Sequence, residues 1–122
     1  MRTEKKTVVL GATTNPSRYA YLATKRLQQY GIEVVPVGIR EGEIGGIPIL
    51  LGQPAIEEVD TITLYLNPFR QEMYYEYILS LKPKRIIFNP GTENATLVKM
   101  AKERGIQAEI ACTLVLLSLG TY

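Results

Sequence analysis

At 122 residues the chain has the size of one compact domain, with room for one core and one main site. Hydrophobic residues make up 46% and charged residues 21%, a globular composition that excludes a disordered chain or a fibrous repeat. The formal net charge is +2 and Lys and Arg form no long run, so no nucleic-acid partner is expected, although a local cation can still meet a phosphate.

Residue counts narrow the chemistry further. A lone cysteine cannot form an internal disulfide. No apolar stretch approaches the ~20 residues of a membrane span. The opening MRTEKK leads into a strand rather than a signal peptide, so a cytoplasmic location without membrane contact is expected. The absence of histidine removes a Ser-His-Asp triad, an imidazole zinc site and a phosphohistidine intermediate. No catalytic residues and no metal site are expected.

Residues 7–11 (TVVLG) are a β-branched run stopped by glycine, the pattern of a strand buried on both faces. A turn follows. Residues 17–30 carry Tyr21, Leu22, Leu27 and Tyr30 at helical spacing, with Lys25 and Arg26 between them and Gly31 as a stop. Residues 33–37 (EVVPV) are a second strand, in which Pro36 marks a position near its end or unpaired on one side. Residues 38–52, with Gly42, Gly45 and Gly46, read as a long functional loop holding one short extended piece at 47–50.

Residues 54–59 are expected to form a short helix, 61–66 (TITLYL) the third strand, and 69–81 a tyrosine-rich helix. Residues 85–89 (RIIFN) form the fourth strand, 94–104 a helix ended by Gly105, 107–110 a fifth strand and 113–119 a last helix. No repeat or linker divides the chain, so residues 1–122 are expected to be one domain. Strands alternating with helices predict an α/β, Rossmann-like three-layer domain with a mainly parallel five-stranded sheet in the order 3-2-1-4-5.

Such sheets bind ligands beyond the carboxyl ends of their strands, where the strand order reverses. That rule selects residues 11–18, 38–46, 66–70 and 90–94. The first of these loops, G-A-T-T-N-P-S-R, hands the chain to a helix whose free N–H groups and positive dipole end favour phosphate. Thr13, Thr14, Asn15 and Ser17 add donors and Arg18 adds charge, while Asn15, Pro16 and Ser17 are equally ordinary turn and helix-start residues.

A dinucleotide fingerprint starting at Gly11 would need glycines where Thr13 and Pro16 stand. The acid that holds an NAD ribose is also missing, because the second strand runs out through Val37, Gly38, Ile39 and Arg40, with Glu41 arriving late. A basic residue there suits a ribose phosphate, as found in NADP and in coenzyme A.

The segments VVLGATTNPSRYAYLATKRL, PVGIREGEIGGIPIL and LYLNP, then GTENATLVKMAKERGI followed by Cys112, resemble the stand-alone CoA-binding domain proteins. These are similar to the CoA-binding domain of the succinyl-CoA synthetase α subunit. The resemblance spans nearly the whole chain, with its elements in the expected order. It implies that coenzyme A or an acyl-CoA, a small-molecule nucleotide ligand, binds with its pyrophosphate facing Gly11, Ala12, Thr13, Thr14 and Asn15. Arg18 would stand nearby, and Val37 and Arg40 would approach the adenosine, with the 3′-phosphate near the residues after the second strand. Asn67 and Pro68 match a valine-proline pair of the synthetase, and Asn67 departs from that pattern.

The synthetase's phosphohistidine domain has no counterpart in this sequence, so the ligase reaction is not implied. The expected role is a non-catalytic binding or regulatory module. The alternatives are an NADP-binding oxidoreductase, a partner-dependent acyl-CoA enzyme subunit, or a partner-binding scaffold whose nucleotide site has decayed. Among tempting residues, Cys112 keeps apolar company and is expected to be an inert, small buried hydrophobe. Glu41 and Glu43 are expected to be solvated loop charges. Tyr74, Tyr75 and Tyr77 cannot all share one helix face, and core packing or a homodimer contact is expected of them rather than an aromatic platform for a base or a partner protein.

Overall fold

The computed structural model describes residues 2–122, with side chains from residue 4 onward. The first unit is β1 (Arg2–Leu10), α1 (Tyr19–Gln29) and β2 (Ile32–Gly38). Short strands β3 (Glu43–Ile44), β4 (Ile47–Pro48) and β5 (Leu50–Leu51) follow, then β6 (Thr61–Leu64). The second half runs through α2 (Pro68–Gln71), a 3-10 turn (Glu72–Tyr74), α3 (Tyr75–Ser80), β7 (Arg85–Phe88), α4 (Ala95–Glu103), β8 (Gln107–Ile110) and α5 (Thr113–Leu119). No helix among the described residues is long and apolar enough to cross a membrane.

The α/β, Rossmann-like class predicted from the alternation is what the chain forms, with one strand more than expected. The main sheet has six strands in the order β5-β2-β1-β6-β7-β8, and all its pairings are parallel. Numbered within that sheet the order is 3-2-1-4-5-6. The third place belongs to Leu50–Leu51, and the segment expected to be third, 61–66, lies fourth, beside β1. A strand of two residues is too short to show a period of its own.

The glycine-rich stretch is more ordered than a loop. Strands β3 and β4 pair antiparallel around Gly45 and Gly46, whose φ of 56° and 82° is the left-handed backbone that a tight hairpin turn requires. Gln28 of α1 fastens the tip by donating from Nε2 to the Gly45 carbonyl at 2.7 Å.

Residues 54–59 form no helix, contrary to expectation. Their carbonyls serve tertiary partners instead: Pro54 accepts from the Tyr77 hydroxyl at 2.6 Å and Glu57 from Lys6 Nζ at 2.7 Å, while Glu58 at φ 60° breaks any helical path. The predicted helix over 69–81 is interrupted by its 3-10 turn. Tyr74 and Tyr77 then face inward as an edge-to-face pair with ring centroids 6.4 Å apart, which answers the tyrosine question with core packing for these two rings.

Period-two alternation divides the core between two sheet faces. Val8, Leu10, Ile62, Leu64, Ile86 and Phe88 pack with Tyr77, Ile78, Leu97 and Ala101 beneath α3 and α4. On the other face Val9 and Val34 pack with Ala20, Leu27 and Leu117 of α1 and α5. Toward β6 and β7 this second face turns polar, through buried Thr61, Thr63 and Arg85. Arg85 donates to Thr61 Oγ1 at 3.1 Å, pairs with Glu109 at 3.2 Å and lies 4.5 Å from the centre of the Tyr122 ring.

The face assignment of α1 has a direct test. Leu27 is fully buried whereas Leu22 is 39% exposed. Leu27→Ala is expected to cost about 2–5 kcal/mol in a urea unfolding titration, and Leu22→Ala less than about 1 kcal/mol. Equal losses would mean the helix is rotated.

Candidate ligand site

The strand order reverses at β1, which has β2 on one side and β6 on the other. The switch-point rule therefore places the candidate crevice at the ends of β1 and β6, where the chain leaves Leu10 and Leu64. Gly11 sits at its base with φ 101°. A Cβ there would stand 3.0 Å from the carbonyl carbon and oxygen of Tyr65, so the position needs glycine for its backbone angle and for the close approach alike. Gly38 has the same steric need, because a Cβ would collide with the Ala12 carbonyl.

The amides of Gly11 and Ala12 both donate to the Val37 carbonyl, at 3.0 and 2.9 Å. That contact ties the exit of β1 to the exit of β2, and it leaves neither N–H free for a phosphate. Val37 is 1% exposed, so its side chain belongs to the core and not to the ligand face. Of the residues carried over by resemblance, Gly11, Ala12 and Val37 thus build the floor of the crevice, and donors to an anion must come from further along the loop.

Thr14, Asn15 and Arg18 are exposed and Thr13 is half-buried. Asn15 Oδ1 accepts from the Ser17 amide at 3.0 Å and the Ser17 hydroxyl at 2.8 Å, while the Asn15 carbonyl accepts from the Arg18 amide at 3.1 Å. This self-braced turn delays α1 to Tyr19, later than the predicted start at residue 17. Arg18 is the N-cap and supplies no side-chain cap, so the amides of Tyr19, Ala20 and Tyr21 have no hydrogen-bond partner among the described residues. They are open donors at the positive end of an 11-residue helix.

Arg40 lies just past β2, exposed, on the short arch that leads to the hairpin. A Cβ on Gly42 would strike the Thr14 methyl, so the arch closes onto the first loop. Neither Arg18 nor Arg40 joins an ion pair among the described residues, where the bridges are Lys6–Glu33 and Arg85–Glu109. On the far side of the crevice Asn67 caps α2 by accepting from the Arg70 amide at 2.9 Å, with Pro68 in the first turn. That cap is a structural reason for the Asn-Pro pair.

Sequence reasoning missed the polar side chains that hold this face together. Asn89 is 2% exposed, donates to Thr63 Oγ1 at 2.6 Å and to the Leu64 carbonyl at 2.8 Å, and accepts from the Thr113 amide at 2.9 Å. Gln71, Thr92 and Asn94 form a second buried cluster. The only available signal was an Asn at the end of one apolar strand and another just ahead of a helix.

Cys112 is half-buried at the start of α5. No group of three or more metal-ligating side chains occurs among the described residues. A groove of about 670 Å³ runs along α4 and the end of the edge strand β8, between Asn94, Val98, Lys102 and Ile110, whereas a cavity of about 570 Å³ lined by Glu57, Asp60, Lys82 and Lys84 lies at the amino end of the strands.

Residues 5–118 match the CoA binding domain family. The chain belongs to that family. Among solved structures this CoA-binding domain is similar to an uncharacterised protein at 57% identity and TM-score 0.95, covering 97% of this chain and 98% of the other. A hypothetical protein from Pyrococcus horikoshii OT3 is 26% identical at TM-score 0.79, covering 91% and 80% of the two chains. The fold is also shared with the dinucleotide-forming acetyl-coenzyme A synthetase 1 of Ca. Korarchaeum cryptofilum, at 19% identity and TM-score 0.68; the match covers 85% of this chain and 25% of that one. No curated protein matches the CoA-binding domain.

One buried group at the crevice has an electrostatic signature. The Tyr65 hydroxyl is enclosed without a hydrogen-bond partner, and burial pushes its pKa far above the usual phenol value, offset only in part by the nearby Thr113 and Thr63 hydroxyls. Thr63 and Thr113 are committed to each other at 2.7 Å. A raised folded pKa means the native protein keeps a proton that the unfolded chain loses above about pH 10, so stability is complete below that pH and falls as pH rises beyond it. Burial shifts Tyr77 and Tyr122 in the same direction. Tyr65→Phe is expected to leave stability at about pH 8 unchanged or slightly higher, and to lose less on going to about pH 10.5 than the wild type does. Urea midpoints at the two pH values measure it, and an equal alkaline loss would remove Tyr65 as a contributor.

Proposed function

We propose that this domain binds coenzyme A or an acyl-CoA at the switch-point crevice, and acts as a non-catalytic binding or regulatory module. What supports the reading is membership of the CoA-binding domain family together with unpaired amides in the first turn of α1 and two exposed arginines, Arg18 and Arg40, that join no ion pair among the described residues, on loops that touch where Gly42 faces Thr14. Pyrophosphate takes its hydrogen bonds from Tyr19, Ala20 and Tyr21 N–H and from the Thr13 and Thr14 hydroxyls, with Arg18 adding charge. Gly11 lets the backbone come close, and Arg40 meets the 3′-phosphate. Asn67 and Pro68 wall the other side.

The site's side chains bind and orient phosphate. A triad or phosphohistidine mechanism needs an imidazole that the sequence does not contain. A cytoplasmic carrier or sensor, read by a second copy or a partner protein, fits such a module.

Two measurements test the reading. A ligand that binds only the native state raises its melting temperature by mass action, so CoA is expected to raise Tm more than NAD or NADP at equal concentration. A larger shift with NADP would favour the oxidoreductase alternative, since a 2′-phosphate also suits Arg40. Arg40→Ala is expected to weaken CoA about 10- to 100-fold while leaving dephospho-CoA, which lacks the 3′-phosphate, nearly unchanged. Titration calorimetry with both ligands at one salt concentration decides it, and an unchanged CoA to dephospho-CoA ratio would take Arg40 out of the site.

A further inference from the structure

Gln71 is 0% exposed, and its amide spans the two loops on the β6–β7 side of the crevice. Its Nε2 donates to the Leu66 carbonyl at 2.7 Å, just ahead of α2, and to the Thr92 carbonyl at 2.9 Å, in the turn after β7. Its Oε1 accepts from Asn94 Nδ2 at 2.9 Å. Asn94 Nδ2 also donates to the Tyr75 hydroxyl at 2.8 Å, and Asn94 Oδ1 accepts from the amides of Thr96 and Leu97 to cap α4. Thr92 is held in turn on the Asn89 carbonyl through its amide and its hydroxyl.

Such an arrangement sets a distance. A neutral amide with its donors on carbonyls of two different loops fixes their separation, and in the interior a half-satisfied version of the cluster would be costly. The four residues of α2 have no length to hold their own conformation, so the position of Asn67 and Pro68 depends on this anchor.

The CoA reading places the adenosine phosphates over β1 and β2, and on that reading the loops after β6 and β7 are left to the rest of the ligand. We infer that Gln71 and Asn94 are positioning residues for this half of the site: they touch no ligand, and they hold residues 67–70 and 92–94 at the spacing that the pantetheine arm bridges.

Two variants separate this role from folding. Asn94→Asp keeps the acceptor that caps α4 and removes the donor to Gln71 and Tyr75. Gln71→Met keeps comparable bulk and removes both donors. Calorimetric titrations of each variant and the wild type would use CoA and adenosine 3′,5′-bisphosphate, which has no pantetheine arm, with circular dichroism confirming the fold. CoA affinity is expected to fall about tenfold or more while bisphosphate affinity stays within about twofold. Equal losses for the two ligands, or no loss of either in a folded variant, would overturn the inference and leave the CoA reading standing. A wild type that binds neither ligand would remove the CoA reading, and this inference with it. If Gln71→Met does not fold, Asn94→Asp alone decides.

Discussion

The carboxyl face of this domain depends on how closely three backbone segments approach one another around Gly11. Its amide, with that of Ala12, lands on the Val37 carbonyl, while its α-carbon lies against the Tyr65 peptide. Both contacts are backbone to backbone, so they position the ends of β1, β2 and β6 regardless of side-chain chemistry elsewhere. The relative placement of the loops that leave β1, β2 and β6 follows from that junction, while the Asn15 turn sets the late start of α1. Any side chain at Gly11 would push apart the strands that define the switch point.

That junction also redistributes roles among the residues a family resemblance brings together. Gly11, Ala12 and Val37 occupy the right place in sequence, yet their hydrogen-bonding groups face one another. The open donors belong to the first turn of α1, where Arg18 caps nothing and the turn built by Asn15 keeps the helix end clear. Position in a motif and availability for a ligand are separate properties, and hydrogen-bond accounting distinguishes them.

Much of the fold was legible because the long strands bury both faces. TVVL and TITL announce themselves as unbroken β-branched or apolar runs and RIIF as an apolar run behind one arginine, and Gly31 and Gly105 mark helix ends with φ of 75° and 73°. What stayed hidden has physical causes. Leu50–Leu51 pairs through only two residues, so no alternation could form, and the Gly45–Gly46 hairpin is specified by turn chemistry inside a stretch that otherwise reads as loop. The helical pattern of residues 54–59 lost to tertiary hydrogen bonds from Tyr77 and Lys6. At the candidate site, the loop proposed to face phosphate could be chosen from topology and from Arg40. Gln71 could not, since a glutamine on a tyrosine-rich helical stretch carries no mark of the two distant carbonyls it joins.

The hairpin fastened to α1 has one more consequence. With Gln28 holding its tip and β5 pinned to β2, the arch bearing Ile39 and Arg40 is anchored at both ends, and the arginine's backbone is already ordered before any anion arrives. A contact made from a pre-arranged backbone gives up less conformational entropy than one made from a free loop, so more of its electrostatic attraction survives as affinity. On the proposed CoA reading, a longer hairpin or a lost glutamine anchor would leave Arg40 in place and still hold the anion less firmly, which makes this fastening a place where affinity can be tuned without altering a residue that meets the ligand.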